Sequence, residues 1–288
     1  MTDSIFRGLF DDASLFPPAS LKMAAAVTGH VRHQAAWYGA MSGPFVCADT
    51  RLPQLSAAMT AASLAELDLA LVLPGGASEL SAATDAVFAD PRLRLRALEV
   101  PISGPAEGEQ ADAALAVQRL AEALDGTPLA GATAFIEIPP GQFSDGALEV
   151  AASHRYLIKL RTGGVTAEAF PDEMTVASCL TALAELRLAF KCTAGLHHAV
   201  RHQAAETGFE HHGFLNVLLA VAVALDGASA AEVAEVLADQ DPVRVATAVA
   251  GLGADTAADV RSMFTSFGTC STDEPVADLV SLGLVSGE

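Results

Sequence analysis

Cations are scarce in this chain. Its 288 residues carry 16 Lys and Arg against 35 Asp and Glu, a formal charge of −19. A nucleic-acid binder would normally present a basic face, and adhesion to an anionic membrane needs the same, so neither partner is expected. Long apolar runs are missing as well. The longest, roughly Phe214 to Leu225, is interrupted by Asn216 and falls short of the roughly 20 residues that a bilayer requires. The first residues, MTDSIFRGLFDD, lack the basic-then-apolar order of a secretory signal. Cys47, Cys179, Cys192 and Cys270 are widely spaced with no CxxC pair, which argues against a disulfide framework and fits a reducing cytoplasm. The GxGxxG, GxxxxGK[ST] and HExxH fingerprints are absent. No nucleotide or organic cofactor is therefore expected, and a divalent metal stays only as an alternative.

What the chain does have is apolar residues, at 51%, with charged residues at 18%, below the roughly 25% of an average domain. The excess acid reads as solvated helix surface on an Ala-rich protein. Short strand-like runs alternate with longer helical ones. The expected strands are Ile5–Leu9, Phe45–Ala48, Leu67–Leu73, Leu93–Val100, Thr133–Ile138, Tyr156–Leu160, Leu188–Thr193 and Met263–Phe267. Between them lie helical stretches at Ser20–Tyr38, Leu52–Ala65, Ala77–Phe88, Asp112–Leu124, Asp145–Ser153, Pro171–Glu185 and a long block from Gly213 to about Leu252, with Glu274–Leu282 last. Eight such units over a single domain of residues 1–288 predict an α/β fold, a TIM-like (β/α)8 barrel; an open doubly wound sheet gives the same alternation and is the second choice. Asp226-Gly227 and Asp241-Pro242 divide the long block into about three helices. It is read as a helical insertion at about 213–255, between strands seven and eight, with a cap or a dimer surface as the other options. Gly104–Gln110 is read as a loop.

The expected strand ends are polar. Strand four ends at Glu99, strand five at Glu137, strand six in Lys159-Leu160-Arg161-Thr162-Gly163-Gly164 and strand seven in Lys191-Cys192-Thr193-Ala194-Gly195-Leu196-His197-His198. Chemistry in such barrels sits at these ends. The chain has three lysines, and two of them, Lys159 and Lys191, stand here inside apolar segments; a lysine is costly to bury unless paired or neutralised. Side chains two apart on a strand share a face, so Lys159 pairs with Arg161 and Lys191 with Thr193, and strands about 4.8 Å apart would bring Glu137, Lys159 and Lys191 together. Two neighbouring ammonium groups depress each other's pKa, one route to a nucleophilic amine. Arg161 and the Gly163-Gly164 turn would hold a phosphate or carboxylate, with Ser266-Phe267-Gly268 adding to it. Glycine there would allow φ > 0 and close ligand approach.

Five of eight histidines fall between His197 and His212. His197 and His198 are the candidates for proton transfer, and His197, His212, Glu137 and Asp11 for metal ligands. His30 and His33 are read as surface or capping residues. Asp11 and Asp12 are placed in a stiff loop over the mouth, where either would reach the substrate or satisfy backbone amides. Lys22 is read as exposed at a helix start.

Taken together, GLFDDASLFPPA, FVCADTRL, KLRTGG, FKCTAGLHH, HHGFLNVLL and SFGTCSTDEPVADLVSLGLV resemble a family of bacterial hypothetical proteins of about this length, to which no reaction is assigned. The resemblance runs nearly end to end. It implies a single domain and picks out Asp11 or Asp12, Lys159, Arg161, Lys191, His197, His198, His212, Asn216, Ser271 and Glu274; Cys192 and Ala199 depart from it, where Ala and Pro would be expected. In layout alone the chain is loosely similar to class I aldolase barrels, with one strand-end lysine forming a Schiff base and a second tuning it. The leading expectation is thus an enzyme of a small anionic metabolite, a lyase or isomerase using Lys159 or Lys191, with Glu137, His197 and His198 moving protons. Arg161, Gly163, Gly164, Thr193, Asp11, Asp12, His212, Asn216 and Ser271 would contact the substrate. The alternatives are a metal-dependent hydrolase or lyase, and a non-catalytic small-molecule-binding protein. A homo-oligomer is left open, since the Leu215–Leu225 stretch suits a core or a subunit interface equally.

Overall fold

The computed structural model describes residues 5–102, 112–205 and 207–287; the loop expected at Gly104–Gln110 lies outside them. The elements run β1 (Phe10–Asp12), α1 (Met23–Ala35), β2 (Ser42–Ala48), α2 (Leu52–Ala61), β3 (Leu67–Val72), α3 (Leu80–Ala89), β4 (Leu93–Pro101), α4 (Ala113–Asp125), β5 (Thr133–Glu137), α5 (Asp145–Ser153), β6 (Leu157–Arg161), α6 (Glu173–Glu185) and β7 (Phe190–Thr193). A two-stranded hairpin follows, β8 (His202–Gln203) and β9 (Glu210–His211). Then come α7 (Phe214–Leu225), α8 (Ala230–Ala238), α9 (Pro242–Ala250), α10 (Ala254–Met263), β10 (Phe264–Thr269) and α11 (Asp273–Ser281). Eight parallel strands close into a barrel in the order β1-β10-β7-β6-β5-β4-β3-β2. The fold is the (β/α)8 barrel that the alternation predicts.

Local chemistry sets most boundaries. Asp112, Ser144, Asp172, Ser229 and Asp241 each accept backbone N–H bonds at the start of a helix, and Ser229 with Glu232 forms a reciprocal capping box. β4 alternates buried and exposed residues at its start, where Arg94 and Arg96 pair with Glu66 and Asp68, and then becomes wholly buried as both faces are covered. Among the described residues no helix is long and apolar enough to cross a membrane.

Two expectations change. The first strand begins at Phe10 rather than Ile5. Residues 5–8 form a turn in which Gly8 takes φ +58, while Ile5, Phe6 and Leu9 are buried. Asp11 and Asp12 are therefore strand residues, paired alongside Gly268 and Thr269, and do not belong to a loop. The block from Gly213 to Leu252 holds the three expected helices, but a fourth, α10, follows it before β10; its sequence ADTAADVRSM is too polar to stand out by periodicity. Of these four, α7 packs on the barrel wall, its Phe214 lying 5.8 Å from Phe10 and 5.1 Å from Phe267 between ring centroids. α8 rests on α6 and α7.

The apolar residues divide into two layers. The large one lies between strands and helices and includes Leu69, Leu98, Ile136, Ile158, Phe190 and Phe267. The small one, Val46, Ala70, Ala97 and Phe135, comes from the opposite strand faces and fills part of the barrel interior. The rest of that interior is charged. Phe267 touches Phe10, Phe214 and Phe264 at once, so Phe267→Ala is expected to cost about 3–5 kcal/mol, measured as a lower urea midpoint with unchanged slope.

Candidate functional site

Register brings the charged residues into one row. Glu137 pairs with Lys159, Lys159 with Lys191, and Lys191 with Ser266, on β5, β6, β7 and β10. Glu99 on β4 and Asp11 on β1 share the inward face. The side chains form one continuous chain. Ser266 Oγ donates to Asp11 at 2.8 Å, and Asp11 accepts from Lys191. Lys191 Nζ also lies 2.6 Å from Glu99 Oε1, whose other oxygen is 2.8 Å from Lys159 Nζ. Lys159 reaches Glu137 at 2.9 Å, and Glu137 reaches Arg161 Nε at 3.0 Å. Three carboxylates thus alternate with three cations. Lys191 Nζ also sits 5.4 Å from the centroid of the Phe135 ring, a favourable place for an ammonium.

The chain runs from a closed end to an open one. Lys191 is 1% exposed, Glu99 and Asp11 2% and Lys159 3%, whereas the Arg161 side chain is 45% exposed. Burial alone would expel the Lys191 proton, but Asp11 and Glu99 reverse this and raise its pKa above the ordinary lysine value. The same balance works on Glu99: desolvation raises its pKa, Lys159 and Lys191 more than cancel it, and the result is about 2. Glu137 is likewise pushed up by burial and brought below its usual range by Lys159 and Arg161. Asp11 goes the other way. Its burial outweighs its one ammonium partner, and the nearby Glu99 charge adds to the rise. Of the two carboxylates on Lys191, Asp11 is therefore the one more readily protonated, because Glu99 is held between two ammonium groups.

The expected lysine–lysine contact is thus corrected in its consequence. The two ammonium groups do not face each other bare; Glu99 stands between them, so Lys191 becomes more basic instead of less. Glu99 is the principal site residue that the sequence reading left out. Its signal was available, since Ala97 and Glu99 share a strand face and Glu99 stands near the strand end.

The remaining expected residues are distributed elsewhere. Thr193 is half-buried beside Arg161 in register. Gly163 and Gly164 do not use positive φ; an added Cβ on Gly163 would meet Gly195 Cα at 2.7 Å and Phe170 at 2.8 Å, and one on Gly164 would meet Ala169 Cβ at 2.5 Å. Close packing demands these glycines. Gly195, at φ +78, does use the left-handed region. His197 bonds Glu274 at 3.0 Å and His198 bonds Asp278 at 3.1 Å, both on α11. His212 bonds the Pro171 carbonyl and Arg201, and burial lowers its pKa. Asn216 is buried, accepting from Arg201 N and donating to the Val236 and Asp239 carbonyls. Those bonds tie α7 to the α8–α9 turn. Ser271 lies in the loop after β10, its carbonyl accepting from Thr269.

Asp12 carries a second buried pair, 3.1 Å from His30 Nδ1. His30 and His33 are therefore not surface residues. His30 packs edge-on against Phe45, and His33 Nδ1 lies 2.9 Å from the Tyr38 hydroxyl, because this face of α1 turns toward the barrel. Lys22 is exposed, as expected. The four side chains considered as metal ligands, His197, His212, Glu137 and Asp11, each have separate partners. Among the described residues no group of three or more His, Cys, Asp or Glu is placed to hold a metal ion.

No protein-family model matches the chain, and no curated protein matches it significantly. Among solved structures it is similar to an uncharacterized metal-dependent hydrolase from Pyrococcus furiosus, at 12% identity and a TM-score of 0.41, covering 93% of this chain and 51% of that one. The chain thus spans about half the length of that protein, and a likeness so distant carries no argument about chemistry.

Glu99 makes acid stability a test of the site. Its pKa falls from 4.5 toward about 2 on folding, so it contributes stability that is present above pH 4.5 and lost as pH falls toward 2, roughly 3 kcal/mol in all. Lys191, with a raised pKa, contributes at all pH values below its unfolded value and loses that contribution only in strong alkali. Glu99→Gln leaves two ammonium groups short of a partner and is expected to cost about 3–5 kcal/mol at pH 7. The difference from the parent protein should shrink as pH drops from 4.5 toward 2, measured by urea unfolding at each pH.

Proposed function

We propose that the mouth of this barrel is a lysine-dependent lyase or isomerase site for a small anionic carbonyl metabolite, with Lys159 as the reacting amine. The observation that carries the reading is the polarity of the ion chain, closed at Lys191 and open at Arg161. Lys159 is the ammonium next to the opening. Lys191, enclosed by Asp11 and Glu99, is a fixed positive charge.

The geometry supports a simple order of events. A substrate carboxylate or phosphate competes with Glu137 for the exposed Arg161 guanidinium. Once Glu137 loses that partner its basicity rises, because Arg161 is one of the two cations holding its pKa down. Glu137 then accepts a proton from Lys159. The neutral amine adds to the substrate carbonyl carbon, Glu137 returns the proton to the resulting hydroxyl, which leaves as water, and an iminium forms whose positive nitrogen draws electrons from the adjacent carbon. In a lyase Glu137 takes the proton of a hydroxyl on the next carbon, the C–C bond between these two carbons breaks and the far fragment leaves as a carbonyl; in an isomerase Glu137 takes the C–H proton; either way the electron pair flows to nitrogen. Reprotonation at carbon and addition of water restore Lys159. The buried Lys191 ammonium stabilises Glu99 as a carboxylate throughout. Proton transfer, expected from sequence at Glu137, His197 and His198, falls in this reading to Glu137 alone, the group that touches the amine.

Borohydride trapping tests the proposal. With a panel of small aldehydes, ketones and keto acids, intact mass and peptide mapping should find one reduced adduct on Lys159. Lys159→Arg keeps the charge beside Glu99 and Glu137, and is expected to fold yet yield no adduct. Lys191→Met should slow adduct formation at least ~100-fold, the low end of what a positioned charge or proton carrier contributes. An adduct confined to Lys22, or none with any carbonyl, overturns the reading. Binding without an adduct would favour a non-catalytic binding protein.

A further inference from the structure

A second cluster lies apart from the ion chain, where the loop after β10 meets α1. Cys270 is half-buried, and the other three thiols, Cys47, Cys179 and Cys192, are buried. Cys270 Sγ is 3.7 and 3.9 Å from the two ring nitrogens of His197, Nδ1 and Nε2. His197 Nδ1 is held by Glu274 Oε2 at 3.0 Å. Nδ1–H donates to the carboxylate, which leaves Nε2 as the free ring acceptor; the sulfur stands beside the ring at nearly equal distances from both nitrogens, a looser contact than an in-line bond, as is common before a ligand binds. A thiol, an imidazole and a carboxylate in this order are the parts of an activated nucleophile.

The cysteine also lines a cavity of about 710 Å³ between the first half of α1 and the start of α11. Another lining residue, Thr272, is 3% exposed, and its hydroxyl oxygen has no hydrogen-bond partner, whereas the hydroxyl of Ser14, also in the lining, is engaged with the Asp12 carboxylate. Unpaired buried hydroxyls cost free energy unless something else satisfies them. Thr272 is also the N-cap of α11 and makes no side-chain cap bond. The rest of the cavity lining is half apolar or small, including Ala19, Leu21, Ala24 and Ala25, and half polar. Its charged rim is mutually paired, Arg32 with Asp273 at 3.0 Å, so it does not call for an ionic ligand.

We propose that Cys270, with His197 as its base, is a covalent capture site for a small conjugated carbonyl compound, an enal or enone, whose oxygen accepts a hydrogen bond from Thr272. The reaction is a conjugate addition. His197 Nε2 takes the thiol proton, sulfur bonds to the β-carbon, and the C=C electron pair moves through the α-carbon to the carbonyl oxygen. The α-carbon then takes the proton back from His197. No oxidant or co-reactant is needed. Burial raises the Cys270 pKa, and although backbone N–H groups of Ala19 and Cys270 itself pull it down, the Glu274 and Asp12 carboxylates add to a net rise, so without a base the thiol would be sluggish.

N-ethylmaleimide, a conjugated dicarbonyl, is the probe, and methyl methanethiosulfonate, which has no carbonyl, is its control. Peptide mapping should place the first maleimide adduct on Cys270, formed at least tenfold faster in the folded protein than on the same residue of the chain in guanidinium. A half-buried thiol with no activating neighbour would react more slowly when folded, and that result overturns the proposal outright. His197→Ala is expected to slow both reagents about 100-fold. Thr272→Val should slow maleimide at least fivefold and leave the thiosulfonate rate unchanged. Equal slowing of both reagents, or of neither, in this variant would remove the carbonyl-binding role.

Discussion

The ion chain through the barrel has to be neutral, and much else in the structure answers to that requirement. Moving a single charge out of water is far more costly than folding can tolerate, while alternating charges in contact offset one another. Here Asp11, Lys191, Glu99, Lys159, Glu137 and Arg161 come to three of each sign. Glu99 and Lys191 stand on β4 and β7, which are not neighbours, so their contact crosses the interior and links one side of the barrel to the other. Val46, Ala70 and Ala97, most of the inner apolar residues on β2–β4, are small enough to leave room for these long side chains. The large apolar side chains are kept for the outer layer, where strands meet helices.

The same neutrality gives the site its direction. Deep in the barrel each charge has two partners that cannot leave. At the rim Arg161 is paired with Glu137 and is open to solvent, so in the proposed function it is the member of the chain that meets a substrate anion. On the proposed reading, binding there changes the basicity of Glu137 and, through it, the protonation of Lys159, which converts a stabilising ion network into a reactive one. The loop after β10 follows a different logic. Its polar atoms are incompletely paired; its thiol and the carboxylate, Cys270 and Glu274, lie four residues apart in one segment, and the imidazole of His197 comes from another.

Part of this was legible in the residues. Eight strand-and-helix units, and polar strand ends at Glu137, Lys159, Arg161 and Lys191, follow from period-two and helical patterning together with the cost of burying lysine. The Asp226-Gly227 and Asp241-Pro242 breaks marked where the long helical block divides. Other features were not legible, for identifiable reasons. Glu99 stood at a strand end like its neighbours, but only closure of the barrel shows that β4 faces β7. His30 looked like a surface histidine because its partner, Asp12, lies eighteen residues away. His212 and Asn216 looked like site residues because they are polar within an apolar stretch, yet they serve Arg201 and the backbone of α6–α9. Gly163 and Gly164 looked like a ligand cradle, and their packing against Gly195 and Ala169 depends on a neighbouring strand and loop.

The sequence by itself determined the alternation of elements, which faces carry charge and the scarcity of cations that makes two buried lysines informative. Those properties are local, set by side-chain period and by the chemistry of each residue. Only the tertiary structure decided which carboxylate meets which ammonium, and hence that Lys191 is held protonated while Lys159 lies toward the opening. Such pairings join residues up to 180 positions apart and depend on strand order, register and barrel closure, none of which is encoded within any one segment.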